Sequence, residues 1–98
     1  MPSNRIGLAR QVAFILADHD LSNAPTTGDI AEALGLRTGT VIGERIREAR
    51  TRYGFAIRCL RDKSGDVTRF RYLMPARQRE SVKRREDYQR WRKSRRAA

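Results

Sequence analysis

The sequence predicts a mainly α-helical domain with a small β-hairpin and a basic C-terminal extension, and three observations carry that expectation. Apolar residues recur at helical spacing in three successive segments as far as Tyr53. The spacing then changes to alternation on either side of a polar turn at 62–66. From Pro75 onward cations outnumber apolar residues. At 98 residues the chain has room for one modest core.

Between Asn4 and Asp18, the residues Ile6, Ala9, Val12, Ala13 and Leu16 share one helical face, Ser3 or Asn4 is positioned to cap it, and Arg5 and Arg10 face outward. Asp18, His19, Asp20, Ser22, Asn23 and Pro25 supply turn chemistry, with His19 expected in a solvated loop. Thr26 or Thr27 then caps a second helix that carries Asp29 in its first turn, Ile30, Ala31 and Leu34 on its apolar face, and Gly35 as its stop. A third helix is expected over 38–53, where Ile42, Ile46, Ala49 and Tyr53 make a narrow inward stripe before Gly54 ends it.

Phe55, Ile57 and Cys59 alternate with Ala56 and Arg58, and Thr68, Phe70 and Tyr72 alternate with Arg69 and Arg71. These are the marks of two antiparallel strands joined through Asp62-Lys63-Ser64-Gly65-Asp66. Cys59 is expected to point into the core. Residues 1–74 would form this folded unit. Residues 75–98 are expected to be a partly helical or disordered tail, because Val82, Tyr88 and Trp91 make no continuous stripe.

Charge narrows the function. The chain carries 22 Lys and Arg against 11 Asp and Glu, a formal +11, so a polyanion is the first partner to consider and nucleic acid the leading one. Only Lys63, Lys83 and Lys93 are lysines; the other cations are arginines, which suit bidentate phosphate and guanine contacts, although a GC-rich coding sequence favours Arg equally well. The tail beyond Pro75 holds ten Lys or Arg against Glu80, Glu86 and Asp87, a net +7 of the total. The longest apolar run, Val12 to Ala17, is six residues, whereas a membrane crossing needs roughly 20. One cysteine, Cys59, and one histidine, His19, allow neither an internal disulfide nor a multi-thiolate metal site. A soluble protein of the cytoplasm, associated with the nucleoid, is the expectation.

The run from Thr27 through Ala31, Gly35, Ile42 and Ile46 to Arg50 resembles the helix-turn-helix of bacterial and phage regulators. Ala31 stands where that motif needs a small residue, Gly35 where it needs a left-handed turn, and Ile42, Ile46 and Ala49 where its second helix faces inward. Ile42 comes one residue late relative to Gly35, which implies a longer turn around Arg37 to Gly39. Followed by Arg52-Tyr53-Gly54-Phe55 and a basic hairpin, the motif is similar to the winged helix-turn-helix subclass (three helices plus a two-stranded wing) over about residues 5–74.

Turning the third helix by about 100° per residue, with its apolar stripe inward, leaves Thr40, Gly43, Glu44, Arg47, Glu48 and Thr51 outward. Of these, Thr40, Gly43, Glu44, Arg47 and Thr51 are the candidates for reading bases: Arg47 offers a fork to guanine, Glu44 accepts from cytosine, and Thr40 meets a thymine methyl or a phosphate. Gly43 would permit close approach to the groove or to the first helix. Arg37, Thr38, Arg45, Arg50 and Arg52 on its flanks suit phosphates, and the resemblance implies the same for Arg61, Lys63, Arg69 and Arg71 on the wing. In the tail, Tyr88 and Trp91 among Lys83, Arg84 and Arg85 would either stack on bases or dock on the first helix or a second subunit. The competing reading of the charged helical face is solvation, with Glu44 and Glu48 paired to neighbouring arginines.

The expected function is that of a sequence-specific, double-stranded DNA-binding protein, a small transcriptional regulator of phage or mobile-element type. Specific affinity asks for a homodimer or for the tail, because one such domain covers only a half-site. A non-specific architectural or RNA-binding protein driven by the tail, and a protein-interaction module aimed at host or phage machinery, are the alternatives. No metal cluster, nucleophile-base pair or paired-carboxylate constellation is visible, so no enzyme, cofactor or small-molecule substrate is expected.

Overall fold

The computed structural model describes residues 6–37 and 42–97. The expected cap at Ser3 or Asn4, the longer turn through Gly39, and the candidates Thr38 and Thr40 lie outside the described residues. The chain runs α1 (Leu8–Ala17), a short 3-10 turn (Leu21–Asn23), α2 (Thr27–Ala33), α3 (Ile42–Thr51), β1 (Arg58–Ser64), β2 (Val67–Leu73), α4 (Ala76–Lys83) and α5 (Glu86–Ala97). It is mainly helical with one two-stranded antiparallel sheet, as the sequence predicts.

Helix α1 starts at Leu8 rather than Asn4, since Gly7 is extended at its N-cap and supplies no side-chain cap. Its expected stripe is buried at Ala9, Val12, Ala13 and Leu16, but Phe14, Ile15 and Ala17 are buried as well. A single-face reading undercounts α1 because helices pack on more than one side of it. Its C-terminus is closed by His19, whose Nδ1–H donates to the Ile15 carbonyl at 2.7 Å. His19 is therefore half-buried and structurally engaged, not solvated. The carbonyl can only accept, which fixes the proton on Nδ1.

Helix α2 is held at both ends by local chemistry. The Thr26 hydroxyl accepts from the Asp29 backbone N–H at 3.1 Å while the Asp29 carboxylate accepts from the Thr26 N–H at 3.0 Å, a closed capping box. At the other end Gly35 adopts φ 70°, and the Gly35 and Leu36 N–H groups donate to the Glu32 and Ala31 carbonyls at 3.0 and 2.8 Å. That is the Schellman arrangement, and only a residue without Cβ adopts such a φ freely.

Helix α3 buries Ile42, Ile46 and Ala49 against α1. Tyr53 departs from expectation: the helix stops at Thr51, so Tyr53 falls past its end and is 39% exposed. The chain turns at Gly54, and Phe55 and Ile57 enter the core instead. They do so ahead of the ladder, which begins at Arg58. The hairpin then projects outward, so Cys59, expected inside, is exposed opposite Tyr72. Gly65 and Asp66 join the strands; φ 63° at Gly65, with no positive φ at Asp66, matches a II′ turn, whose twist suits a tight hairpin. The free side of β2 is bridged by a single antiparallel pairing, Thr26 with Arg71, and the Tyr72 N–H donates to the Pro25 carbonyl at 2.9 Å.

Residues 76–97 fold into α4 and α5 with a break at Arg84 and Arg85, and their partner is α1. Phe14, Tyr88 and Trp91 form an aromatic cluster with centroids 5.5 to 6.0 Å apart, Phe14 and Tyr88 meeting edge to face at 88°. Val82, Tyr88 and Trp91 belong to the same buried cluster as Val12, Ile30 and Ile46. The Tyr88 hydroxyl donates to the Asp18 carboxylate, and Arg10 meets Asp87 at 3.3 Å. Tyr88 and Trp91 thus dock on α1 rather than standing free to stack on bases. Their spacing leaves stacking and docking both open, because the surface they complete lies about 75 residues earlier.

Candidate nucleic-acid interface

On α3, Gly43, Glu44, Arg47 and Thr51 are exposed along one side, opposite the buried Ile42, Ile46 and Ala49. A Cβ built on Gly43 would meet nothing within 4 Å, so its small size does not serve packing against α1. The Thr51 hydroxyl turns back to donate to the Arg47 carbonyl at 2.9 Å, leaving its methyl and remaining lone pairs outward. Glu48 is drawn inward between Arg45, at 2.6 Å, and Arg52, at 3.7 Å, while Glu44 lies 3.8 Å from Arg45. The competing solvated-pair reading therefore describes Glu48, Arg45 and Arg52 well. It does not describe Arg47, which has no carboxylate partner among the described residues.

The other flanking cations divide in the same way. Arg50 donates from Nε to the Ile57 carbonyl at 2.9 Å and so pins the start of the hairpin to α3. Arg71 bonds the Asp62 carboxylate at 2.9 Å and the Ala24 carbonyl at 2.9 Å, which welds β2 to the segment preceding α2. Arg37, Arg61, Lys63 and Arg69 are exposed. Near the hairpin base, the Asp29 carboxyl lies below its ordinary value, chiefly because the Thr26 N–H donates to it, with Arg71 and Arg69 adding to the effect.

The hairpin register separates its two faces. Cys59 pairs with Tyr72, Arg61 with Phe70 and Lys63 with Thr68, so these six share one face. Leu60, Asp62, Arg69 and Arg71 take the other. The first face carries two exposed cations and no carboxylate, with Phe70 between them at 47% exposure. Sequence reasoning treated Phe70 only as a strand residue. The signal available was an aromatic three residues from the turn, with Arg61 and Lys63 at cross-strand positions.

In the C-terminal segment, Lys83 and Arg84 are exposed, whereas Arg85 bonds Asp87 at 2.9 Å and lies 5.3 Å from the Phe55 ring. Burial pushes the Asp87 carboxyl up, but Arg85, the Tyr88 N–H and Arg10 outweigh it and hold the group below its ordinary value. Along α5, Arg90, Arg92, Lys93 and Arg95 are exposed. Among the described residues no group of three or more His, Cys, Asp or Glu is arranged to hold a metal ion, and no helix is long and apolar enough to cross a membrane. No protein-family model matches this chain, and no curated protein or solved structure matches it either.

Proposed function

We propose that this chain is a winged helix-turn-helix protein of the cytoplasm that binds double-stranded DNA sequence-specifically, as a small transcriptional regulator. Helix α3 lies in the major groove, and the hairpin acts as the wing. The observation that carries this reading is the division on α3: Arg45 and Arg52 are paired with Glu44 and Glu48, while Arg47 has no carboxylate partner among the described residues and stands beside the open surface over Gly43. A helix held in place on one side, with a guanidinium fork beside a residue lacking a side chain, suits edge-on contact with guanine. The exposed Arg61, Lys63 and Arg69 suit phosphates flanking that contact.

Selection from randomised duplexes with the full chain tests this reading. A preferred sequence is expected, and Arg47→Ala is expected to relax preference at one base pair, losing about 1–3 kcal/mol of discrimination. Recovery of no preferred sequence would remove sequence-specific regulation. The exposed Arg90, Arg92, Lys93 and Arg95 support a second reading, binding driven by charge without sequence preference. Removing residues 75–98 cannot separate the two, because it also strips Val82, Tyr88 and Trp91 from the core. Neutralising α5 with Arg92→Gln and Lys93→Gln does so. The second reading requires most of the affinity to disappear, whereas the first keeps the preferred sequence.

A further inference from the structure

We infer that Phe70 is an apolar wedge that takes up the face of a nucleobase, so that the hairpin unstacks and kinks the duplex it binds. The inference rests on the DNA-binding reading above and assigns the hairpin a role beyond phosphate contact. Its first support is placement. Phe70 sits directly across from Arg61, and the next pair toward the turn on the same face is Lys63 with Thr68, so the ring stands beside two cations on a projecting ribbon. The one acid of β1, Asp62, is on the opposite face and is occupied by Arg71. An unneutralised positive rim around an aromatic ring fits a partner that is negative at its edges and flat and apolar inside, as a stacked nucleic acid is.

The second support is the ring's surroundings. Phe70 is 47% exposed although it faces the same way as Tyr72, which packs against the core. Phe70 lines an open recess with Thr26, Thr27, Gly28, Arg69 and Tyr72, so there is space beside the ring on the protein side as well. The Arg61 guanidinium lies 6.0 Å from the ring centroid, at the outer limit of a cation–π contact, so it is free to leave the ring for a phosphate as a base arrives. A hairpin that only neutralised phosphates would gain nothing from an exposed phenyl group. A hairpin that wedges needs one, between cations that grip the backbone on either side of the opened step. Pyrimidine–purine steps are the most easily unstacked, so TA or CA steps are the expected target.

The test uses the full chain and short duplexes with 2-aminopurine at a central TA step, a fluorophore dye at each end, and the matching single strand as control. Wild type is expected to raise 2-aminopurine emission and shorten the end-to-end distance on binding. Phe70→Ala is expected to lose both signals and to bind roughly tenfold or more weakly, while Phe70→Leu, which keeps an apolar wedge, retains part of each. Thermal melts of the variants show whether the fold is intact; Phe70 is half outside the core, and melting points near wild type are expected. Wild-type binding with no change in emission or distance overturns the wedge and leaves the DNA-binding reading standing. So does a Phe70→Ala chain that bends the duplex as wild type does. Tighter binding to the single strand than to the duplex also overturns it, since the ring would then need no step to open. Failure of wild type to retain any duplex removes both readings.

Discussion

Two groups of cations in this molecule have the same chemistry and opposite situations. At the junction of α1 with α4 and α5, Arg10 is tied to Asp87 and lies 5.9 Å from the Tyr53 ring, Arg85 is tied to Asp87 and covers Phe55, and Arg79 donates to the His19 carbonyl at 3.1 Å. On α3 and the hairpin, Arg47, Arg61, Lys63 and Arg69 are exposed without carboxylate partners among the described residues. The first group spends its charge and its planar faces on holding the C-terminal helices in place. The second leaves its charge for a partner. A formal charge of +11 therefore overstates what is available for binding, and residue type alone does not say which arginine belongs to which group.

The comparison breaks most visibly at the junction. Trp91→Ala is expected to destabilise the chain by about 3–5 kcal/mol, because a 6%-exposed indole beside Phe14 leaves a cavity behind. In a thermal melt that is a drop of roughly 12 °C or more, against almost none for Lys93→Ala, which is exposed on the same helix. Equal melting of the two variants would mean that α5 is not part of the core.

Salt titrations sharpen the contrast between the cation groups. If Arg61 and Lys63 each neutralise a phosphate, the double alanine variant will lower the slope of log affinity against log salt by about 2, with an unchanged melting point. Arg10→Ala will do the reverse, melting earlier while leaving the slope as it was. Matching slopes for the two variants would dissolve the distinction.

A smaller effect separates stability from binding on α3 itself. Gly43 lies in the first turn of α3 and an added methyl meets open space, so Gly43→Ala is expected to stabilise the fold by about 0.5 kcal/mol or less in a denaturant titration. Affinity for duplex is expected to fall, since the added methyl stands where a base edge would approach. A variant that is more stable and binds equally well would move the reading face away from Gly43.

The subtlest test is alkaline. Burial first, and then the Asp18 carboxylate, push the Tyr88 phenol from 10 up to about 12. The native state thus keeps a proton that the unfolded chain releases near 10. The stabilisation is complete below that pH and is lost as pH rises from about 10 toward about 12. Tyr88→Phe is expected to flatten that decline in melts between these limits. An identical alkaline slope in the variant would show that the phenol is not linked to folding.

Local chemistry made much of the fold readable from the sequence alone. Thr26 with Asp29, Gly35 after Leu34, the stripe Ile42, Ile46 and Ala49, and the glycine turn between alternating residues each act within a few positions, so spacing suffices to find the helices and the hairpin. The candidate reading face on α3 followed from the same periodicity. What spacing could not supply were contacts made across the chain. The inward place expected for Tyr53 went to Phe55 and Ile57, and the place expected for Cys59 ended in solvent, because only packing decides where a strand leaves the core. Arg71, Arg50 and Arg45 read as phosphate ligands until their partners Ala24, Ile57 and Glu48 came within reach. The spacing of Tyr88 and Trp91 allows either stacking on bases or docking, and Phe14 supplies the surface that decides for docking on α1. The sequence by itself determined the first three helices, the hairpin and its turn, and how much charge the chain carries, but not that α4 and α5 fold onto the core. Tertiary structure alone decided which cations are already spoken for, since an ion pair or a packed ring is settled by distance in space.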